Sequence, residues 1–289
     1  MSNQPAHPLI DAALEEDLGT LGDLTAAYFV SDSSQTCARM VARETCCLAG
    51  IELAAEVFRS VDPDVQISIS LASGSRIDAK GINSTTILQV EGHTRSILTA
   101  ERTALNIAQR LTGVATLTAA FVDAVKGTGA TILDTRKTTP GWRALEKEAV
   151  KMGGAQNHRM GLYDRVMVKD NHLVAEDRLS FIQSGIDELM VHHPTVEVEL
   201  EADNLEQVKD FLTLYGVHYI LLDNMSPDVM REAVAMAADS GVKMEASGGI
   251  NLNTVRAAAE TGVDFISVGA LTHSARCIDL SLDSTRLDA

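Results

Sequence analysis

The chain has 289 residues, and its 40 acidic against 24 basic side chains give a formal net charge of −16. Such a chain lacks the broad positive field that binding to nucleic acid or to an anionic membrane requires, so we expect neither partner. Aromatic residues make up only 4% of it, which leaves aliphatic side chains to fill a core typical of parallel sheets covered by helices. The 4 cysteines show no CxxC spacing and the start has no basic, apolar leader, which predicts a cytoplasmic protein.

Up to about residue 112 the hydrophobic pattern is mixed. It predicts an amphipathic helix that ends at Gly19, a strand over 37–50 and a helix over 52–61, followed by strands over 66–77 and 85–92. The stretch "TAERTALNIAQRL" predicts a further helix that opens at Thr99.

From residue 130 onward a regular alternation of strand and helix is predicted. Short β-branched runs recur as "ATILDT", "RVMVKD", "TVEVEL", "YILLDN", "VKMEAS" and "FISVGA". A helix-like segment follows most of them, such as the one with Ser226 as N-cap, Pro227 in its first turn and Gly241 closing it. This alternation predicts right-handed βαβ units in a barrel or partial barrel. A doubly wound open sheet is the alternative, although no GxGxxG follows any strand.

Polar and glycine residues follow these runs at their carboxyl ends. In chain order they are Arg136 and Lys137, then Lys169, Glu199, Asp223, Ser247 with Gly248 and Gly249, and Gly269. In an α/β barrel the carboxyl ends of the strands meet at one rim, where active sites are built. The glycine turns after the last two runs favour a phosphate site, because glycine lets backbone N–H groups approach an anion.

The acids of "VEVEL" predict a second feature of that rim. Glu197, Glu199 and Glu201 alternate with apolar residues and so share one face of a strand. On a surface strand they would form a solvated face, whereas in a barrel they would lie inside its mouth. With Asp223 of the next strand they form an oxygen-rich site suited to Mg²⁺.

The stretch "QNHRMGLYDRVMVKDNH" brings further cations close to this rim. His158 and Arg159 precede a predicted strand and Lys169 ends it, so all three are candidates for binding an anion. We interpret His172 as a structural loop residue.

Seven stretches resemble one family closely and in its order, quinolinate phosphoribosyltransferase, the decarboxylating nicotinate-nucleotide pyrophosphorylase of NAD biosynthesis. Together they span residues 99 to 275. They are "TAERTALNIAQRLTGVAT", "DTRKTTPGWR", "KMGGAQNHRMGLYDRVMVKDNH", "VEVE", "LLDNMS", "EASGGI" and "VGALTHSA".

The resemblance implies an N-terminal α/β sandwich over 1–112, joined by the tail 276–289, and an open α/β barrel with parallel strands over 113–275. It implies a homodimer or larger assembly in which Arg102 of one subunit completes the other's active site. The implied reaction joins quinolinate to 5-phosphoribosyl 1-pyrophosphate with Mg²⁺, and gives nicotinate mononucleotide, pyrophosphate and CO₂.

The resemblance also implies a division of the site. The carboxylates of quinolinate would be bound by Arg102, Arg136, His158, Arg159 and Lys169. The ribose 5-phosphate would be held by Ser247, Gly248, Gly249, Val268, Gly269, Ala270 and His273. Lys137, with Thr135 beside it, would lie between the two. The catalytic residues would be Lys137, Lys169, Glu199 and Asp223, of which the last two would also hold Mg²⁺.

Several alternatives stay open. A related phosphoribosyltransferase could act on nicotinate or another ring acid, or the chain could be a homologue associated with molybdate transport. A non-enzymatic phosphate sensor is a third reading, but it would not need paired acids beside its phosphate site. The strand-to-helix step in "VEVELEADNLEQ" is slightly longer than the family's usual one, so Glu199 and Glu201 both remain candidates. We favour Glu199, which matches the second acid of "VEVE".

Overall fold

The structure is a computed structural model that describes residues 7–78, 85–169 and 178–287. The chain divides into two compact units, a first unit of residues 1–117 with 275–289 and a second unit of residues 118–274. The predicted domain bounds, at 112 and 275, stay a prediction about folding units, because compactness alone does not show that a unit folds by itself.

The first unit combines helices with an antiparallel sheet. Its helices are α1 (Pro8–Leu18), α2 (Leu24–Phe29), α3 (Ile51–Val61) and α4 (Thr94–Ala124), the last of which continues into the second unit. Its strands are β1 (Gln35–Ala42), β2 (Cys46–Cys47), β3 (Gln66–Ile69), β4 (Arg76–Ile77), β5 (Thr85–His93) and β12 (Leu280–Arg286). Four of them form a sheet in the order β12-β1-β5-β3, so the end of the chain returns to the start of this unit.

Two glycines of this unit have structural roles that their lack of a side chain explains. Gly19 stops α1 with a φ of 51°, a value that glycine adopts at little cost, and this confirms the predicted helix end. Gly113 of α4 lies against the returning chain. A Cβ there would lie 2.0 Å from the carbonyl oxygen of Arg276, so only glycine permits this approach.

Two predictions for this unit were wrong in their bounds. Helix α4 begins at Thr94, directly after β5, and not at Thr99. Thr99 therefore lies inside the helix and not at its start. Its hydroxyl donates to Asp23 Oδ2 over 2.9 Å, a contact between residues distant in sequence. The single strand predicted over 37–50 is interrupted between β1 and β2, where Glu44 turns to bind Arg276 and the N–H of Asp279.

The second unit alternates strand and helix as predicted. Its strands are β6 (Thr131–Leu133), β7 (Arg165–Val168), β8 (Glu197–Ala202), β9 (Tyr219–Asp223), β10 (Lys243–Ser247) and β11 (Phe265–Ser267). Its helices are α5 (Arg143–Met152), α6 (Arg178–His192), α7 (Leu205–Phe211), α8 (Pro227–Ala237), α9 (Val255–Ala259) and α10 (Ala270–His273). Ser226 caps α8 as expected, but the helix ends at Ala237 and not at Gly241.

The six strands form one parallel sheet in the order β6-β11-β10-β9-β8-β7. Strands β7 to β11 follow one another across it without the reversal of direction that a doubly wound sheet requires. β6 then pairs with β11, at the far side from β7, as in a barrel left open between its first two strands. The chain is therefore an α/β protein with a parallel, open-barrel sheet, as predicted. Among the described residues no helix is long and apolar enough to cross a membrane.

Candidate active site

A cavity of about 680 Å³ lies at the carboxyl ends of the parallel strands of the second unit. This volume is typical of a small-molecule site. The cavity is lined by Thr135, Arg136, Lys137, His158, Arg159, Met167, Lys169, Glu201, Leu221, Asp223, Asn224, Glu245, Ser247, Gly248, Gly249 and Ser267. Residues more than 100 positions apart in sequence thus meet at one edge of the sheet, as the strand pattern predicted.

Ten residues of the predicted site line this cavity, and six do not. Glu199 lies fully buried behind it, and Gly269 lies beside it, since a Cβ there would be 3.0 Å from Lys137 Cδ and 3.2 Å from His273 Nε2. Val268 and Ala270 flank this glycine. Arg102 belongs to the first unit, where it lies exposed on α4, and His172 lies outside the described residues. The roles of all sixteen residues stay predictions.

The loop after β6 presents Arg136 and Lys137 to the cavity. Its turn is held from within, because the Lys137 N–H donates to Thr135 Oγ1 over 3.1 Å and the Thr138 N–H donates to the carbonyl of Arg136 over 2.9 Å. Glu146 at the start of α5 accepts both the N–H and the hydroxyl of Thr139, over 3.0 and 2.9 Å. These hydrogen bonds therefore fix the backbone that carries Arg136 and Lys137.

A third cation of the same motif, Arg143, serves the loop and not the cavity. Its guanidinium donates to the Thr138 hydroxyl over 3.0 Å, to the Arg136 carbonyl over 3.3 Å and to the Met160 carbonyl over 3.2 Å. Met160 belongs to the loop that carries His158. Arg143 thus joins the two loops from which most of the cationic side chains of the cavity come.

A buried ion pair lies beneath these loops. Asp134 follows β6 and is fully buried, as is Lys147 of α5, which donates its ammonium to Asp134 Oδ1. Burial raises the pKa of Asp134 and lowers the pKa of Lys147, while each partner opposes the shift of the other. Neither residue was predicted from the sequence, because the contact that buries them depends on the packing of α5 against the end of β6.

A second buried cluster contains His158. Its Nε2 lies 3.1 Å from Glu199 Oε2 and 3.5 Å from Glu245 Oε1. Burial opposes a charged imidazole, but these two carboxylates outweigh it and raise the pKa of His158 to about 9. The Arg159 N–H donates to Nδ1 over 2.6 Å, a contact that only the neutral ring can accept and that works against this rise. Burial and the nearby Glu245 raise the pKa of Glu199.

The three acids of β8 share one face of the strand, as predicted, but they have different surroundings. Glu197 is 3.0 Å from Arg165 and accepts the Tyr219 hydroxyl over 2.9 Å. Glu199 contacts His158. Glu201 lines the cavity and pairs with Lys169. Of the two residues that the sequence left open, Glu201 is thus the one that faces the cavity, while Glu199 lies behind it.

The glycine turn after β10 also lines the cavity. Gly248 and Gly249 have φ values of 90° and 62°, and a Cβ on Gly248 would lie 2.3 Å from Asn224 Oδ1. Asn224 is the one non-glycine residue with a positive φ in the part of the chain that the structure describes, and its N–H donates to the Ser247 carbonyl over 2.9 Å. Its side-chain amide donates to Asp223 over 2.8 Å. Asn224 was not predicted from the sequence. An Asn after a strand-end Asp was a usable signal, since Asn tolerates a positive φ.

The cavity is lined by both cations and carboxylates. Two arginines and two lysines line it, and Glu201, Asp223 and Glu245 supply carboxylates. In a chain with a net charge of −16, this is a local concentration of positive charge. Together with the glycine turn, it indicates binding of a substrate with several anionic groups. Fold and site thus define an α/β enzyme with an anion-binding active site at the carboxyl ends of a parallel sheet.

Comparison with known proteins agrees with this class. Residues 23–112 match the family model "Quinolinate phosphoribosyl transferase, N-terminal domain", and residues 114–283 match the corresponding C-terminal domain. A quinolinate phosphoribosyltransferase [decarboxylating] of Nicotiana glauca is 39% identical over 96% of this chain and 83% of its own. A probable nicotinate-nucleotide pyrophosphorylase [carboxylating] of Synechocystis sp. is 38% identical over 96% of this chain and 92% of its own.

A solved structure is also similar. The nicotinate-nucleotide pyrophosphorylase of Francisella tularensis matches with a TM-score of 0.89 and 37% identity, over 96% of this chain and 95% of that one. The chain belongs to the quinolinate phosphoribosyltransferase family.

Proposed function

We propose that the protein transfers the phosphoribosyl group of 5-phosphoribosyl 1-pyrophosphate to quinolinate and releases pyrophosphate and CO₂, which leaves nicotinate mononucleotide for NAD biosynthesis. Membership of the family supports this reaction. The observation that carries it in this structure is that cationic loop residues, a glycine turn and carboxylates all line one cavity.

Quinolinate is a flat ring with two adjacent carboxylates, and the cationic side of the cavity suits it. Arg136 and Arg159 offer forked guanidinium groups, which bind carboxylates through paired hydrogen bonds. Lys169, which directly follows β7 and pairs with Glu201, adds a point charge, and His158 also lines the cavity. A monocarboxylate such as nicotinate would leave part of this charge unpaired in a partly buried site, which disfavours it.

The phosphoribosyl group would lie along the glycine turn. Glycine at positions 248 and 249 exposes backbone N–H groups to a phosphate, with the Ser247 hydroxyl beside them. Gly269 opens the space between Lys137 and His273, since a side chain there would displace one or the other. Lys137 thus stands between the carboxylate side and the phosphate side, where it can neutralise charge on the leaving group.

The chemistry then follows from orientation and charge. As pyrophosphate leaves, positive charge develops on the ribosyl carbon, and the carboxylates of Glu201 and Asp223, which line the cavity, can stabilise it. Fixing quinolinate by both carboxylates aims its ring nitrogen at that carbon. Once bonded, the nitrogen is positively charged and stabilises the electron pair that the departing CO₂ leaves on the adjacent ring carbon, and this carbon then takes a proton.

Mg²⁺ is part of the proposal, and the donor set fits it. Asp223 supplies a carboxylate at the cavity wall, Glu201 lies on the neighbouring strand, and Mg²⁺ in proteins typically binds one or two carboxylates together with substrate phosphates. Glu199, the acid first favoured, is the less suitable partner because it lies behind His158. When bound, Mg²⁺ would neutralise charge on the pyrophosphate.

We further propose a cytoplasmic homodimer in which Arg102 of one subunit completes the site of the other. The exposure of Arg102 on α4 and the sparse cysteines without CxxC spacing are consistent with this. Mixing inactive Arg102→Ala subunits with inactive Lys169→Ala subunits should restore part of the activity in hybrid dimers. No recovery, with subunit exchange demonstrated by mass spectrometry, would place Arg102 in its own subunit's site or outside both.

The substrate is tested by an assay with two ring acids. Purified protein is supplied with 5-phosphoribosyl 1-pyrophosphate, Mg²⁺ and either quinolinate or nicotinate, and nicotinate mononucleotide is quantified by chromatography. We expect product from quinolinate and little from nicotinate, and omission of Mg²⁺ should abolish turnover. Product from nicotinate alone would replace the proposed function by that of a related phosphoribosyltransferase.

A further inference from the structure

Two separate loops carry most of the cations that would bind quinolinate. Arg136 lies in the loop after β6, and His158 and Arg159 lie in the loop that follows α5. Neither loop is part of a strand at these positions. Since the proposed reaction requires both loops to hold one flat substrate, something must set the distance between them.

Asp134 is the point where the two loops meet. Its Oδ1 accepts the Lys147 ammonium and, over 2.8 Å, the backbone N–H of His158. With the Asn157 amide oriented so that its nitrogen faces Asp134, that nitrogen donates to Oδ2 over 2.8 Å. Lys147 in turn donates to the backbone carbonyl of His158 over 3.1 Å. Both backbone groups of His158 are therefore bound by one ion pair.

This ion pair is more than a means of filling the core. Asp134 and Lys147 are 0% and 1% exposed, and neither lines the cavity. Taking two charges out of water is costly, and a well-packed apolar pair of similar size stabilises a fold as well or better. What an apolar pair cannot do is hold the N–H and C=O of one residue, which belong to successive peptide groups, at fixed distances, because only directional polar contacts do that.

We propose that the Asp134–Lys147 pair, with Asn157, is a positioning element that sets the spacing between Arg136 and the His158–Arg159 segment for quinolinate. This proposal rests on the proposed function. Its residues act through the cationic loops and do not touch the substrate, so they are not catalytic residues. The element holds the carboxylate side of the cavity, while the glycine turn on the phosphate side is held by separate contacts of Asn224.

The proposal makes the two substrates respond differently. In Lys147→Met and in the double variant Asp134→Asn with Lys147→Met, we expect the KM for quinolinate to rise about tenfold, since misplacement by an ångström can cost up to a hundredfold. The KM for 5-phosphoribosyl 1-pyrophosphate should change by less than about twofold on the same argument, because its wall of the cavity is unaltered. Asn157→Ala, which keeps the ion pair, should show the same pattern in weaker form.

Two controls separate positioning from stability. Lys243→Met breaks an exposed ion pair with Asp264 at the amino end of β10 and should leave both KM values unchanged. Val208→Ala makes a cavity in the core under α7 and should lower the melting temperature without changing either KM. Should Lys147→Met fail to fold by circular dichroism, the double variant and Asn157→Ala provide the measurement.

The outcomes are distinct. A selective rise in the KM for quinolinate supports the positioning element. Wild-type turnover of quinolinate, with the same KM in folded Asn157→Ala and in the double variant, overturns it and leaves the proposed function standing. A wild-type chain without turnover of quinolinate overturns the proposed function, and the positioning element with it.

Discussion

The two units of this protein differ in what they bury. Among the described residues, the buried polar side chains of the first unit are Ser34, Thr36, Thr94, Thr103 and Thr112, all of them hydroxyl groups. The second unit buries six acidic, basic or imidazole side chains, which are Asp134, Glu146, Lys147, His158, Glu199 and Glu245. Buried charge is costly and needs partners, whereas a hydroxyl is satisfied by a single nearby carbonyl or hydroxyl.

This difference shows that only the second unit buries charged side chains, among the described residues, at a cost in stability. In the first unit the ion pairs lie at the surface, as with Arg43 and Asp283, whose side chains are about half exposed. Such pairs contribute little to stability. In the second unit the buried charges collect at the carboxyl ends of the sheet, beside the cavity. We infer that they serve substrate binding and that the packing of the unit must offset them.

The largest effect should come from the loop after β6. Arg136→Ala removes one guanidinium from the carboxylate side, and we expect kcat/KM for quinolinate to fall about a thousandfold, the scale on which a preorganised charge acts. The melting temperature should stay within a few degrees of wild type, because the side chain borders the cavity and not the core. Arg231→Ala, on the exposed side of α8, is the matched control. Loss of folding in Arg136→Ala, seen by circular dichroism, would make the loop structural.

The buried imidazole should make stability depend on pH. The pKa of His158 is raised from 6.5 in the unfolded chain to about 9, so its contribution is fully present below pH 6.5 and is lost as the pH rises through about 9. The total is at most on the order of 3 kcal/mol, at 1.36 kcal/mol for each pH unit of difference, because the Arg159 N–H contact at Nδ1 opposes it. We expect the urea midpoint of wild type to fall across this range, more steeply than that of His158→Asn.

His193→Asn supplies the control for this pH dependence, because His193 is exposed and the chemical change is the same. It should follow the wild-type curve. If the urea midpoints of wild type and His158→Asn depended on pH in the same way, the carboxylates would not be holding a proton on this ring. The buried charges of the second unit would then have no measurable effect on the pH dependence of stability.

A matched pair of glycines tests the phosphate wall. Gly248→Ala would place a Cβ 2.3 Å from Asn224 Oδ1, at a φ of 90°, and should cost about 2 kcal/mol of stability as well as most of the activity. Gly249→Ala meets no atom closer than 3.9 Å, at a φ of 62°, and should cost about half of that. Thermal unfolding of both variants checks the order. Equal losses would mean that backbone conformation alone, and not contact with Asn224, requires the glycine.

The smallest effect should come from the surface of the first unit. The Arg276 guanidinium lowers the pKa of Glu44 to about 2, so the contribution of this pair is present above pH 4.5 and is lost as the pH falls through about 2. Glu44→Gln should cost less than about 1 kcal/mol near neutral pH, because Arg276 is largely exposed and water screens the pair. A larger loss of unfolding free energy, measured by chemical denaturation, would mean that a surface charge of the first unit matters as much for stability as the buried charges of the second.

Much of this architecture could be predicted from the sequence because it depends on local signals. All six strands of the second unit have the β-branched runs expected of them, and Gly19 ends α1 where a glycine after an amphipathic run should. The convergence of strand ends on one cavity followed from the alternation of strand and helix.

What could not be predicted depends on contacts between distant residues. Asp23 binds the hydroxyl of Thr99, which lies within α4, and the helix starts at Thr94, directly after β5. Nothing local separates Glu199 from Glu201, which lie on the same face of β8. Only the loop with His158 decides which of the two is covered. In the sequence, Lys147 looks like an ordinary exposed lysine on a helix. Only the packing of α5 over Asp134 buries it.

The most direct test of the central claim is the yield of CO₂ for each pyrophosphate released. Quinolinate with ¹³C in the carboxylate that is lost, and an equal amount of unlabelled nicotinate, compete for limiting 5-phosphoribosyl 1-pyrophosphate in the presence of Mg²⁺. A cavity built for a dicarboxylate predicts one ¹³CO₂ for every pyrophosphate, measured by mass spectrometry and by a coupled phosphate assay. Pyrophosphate released without ¹³CO₂ would show that the cationic loops serve a different acid.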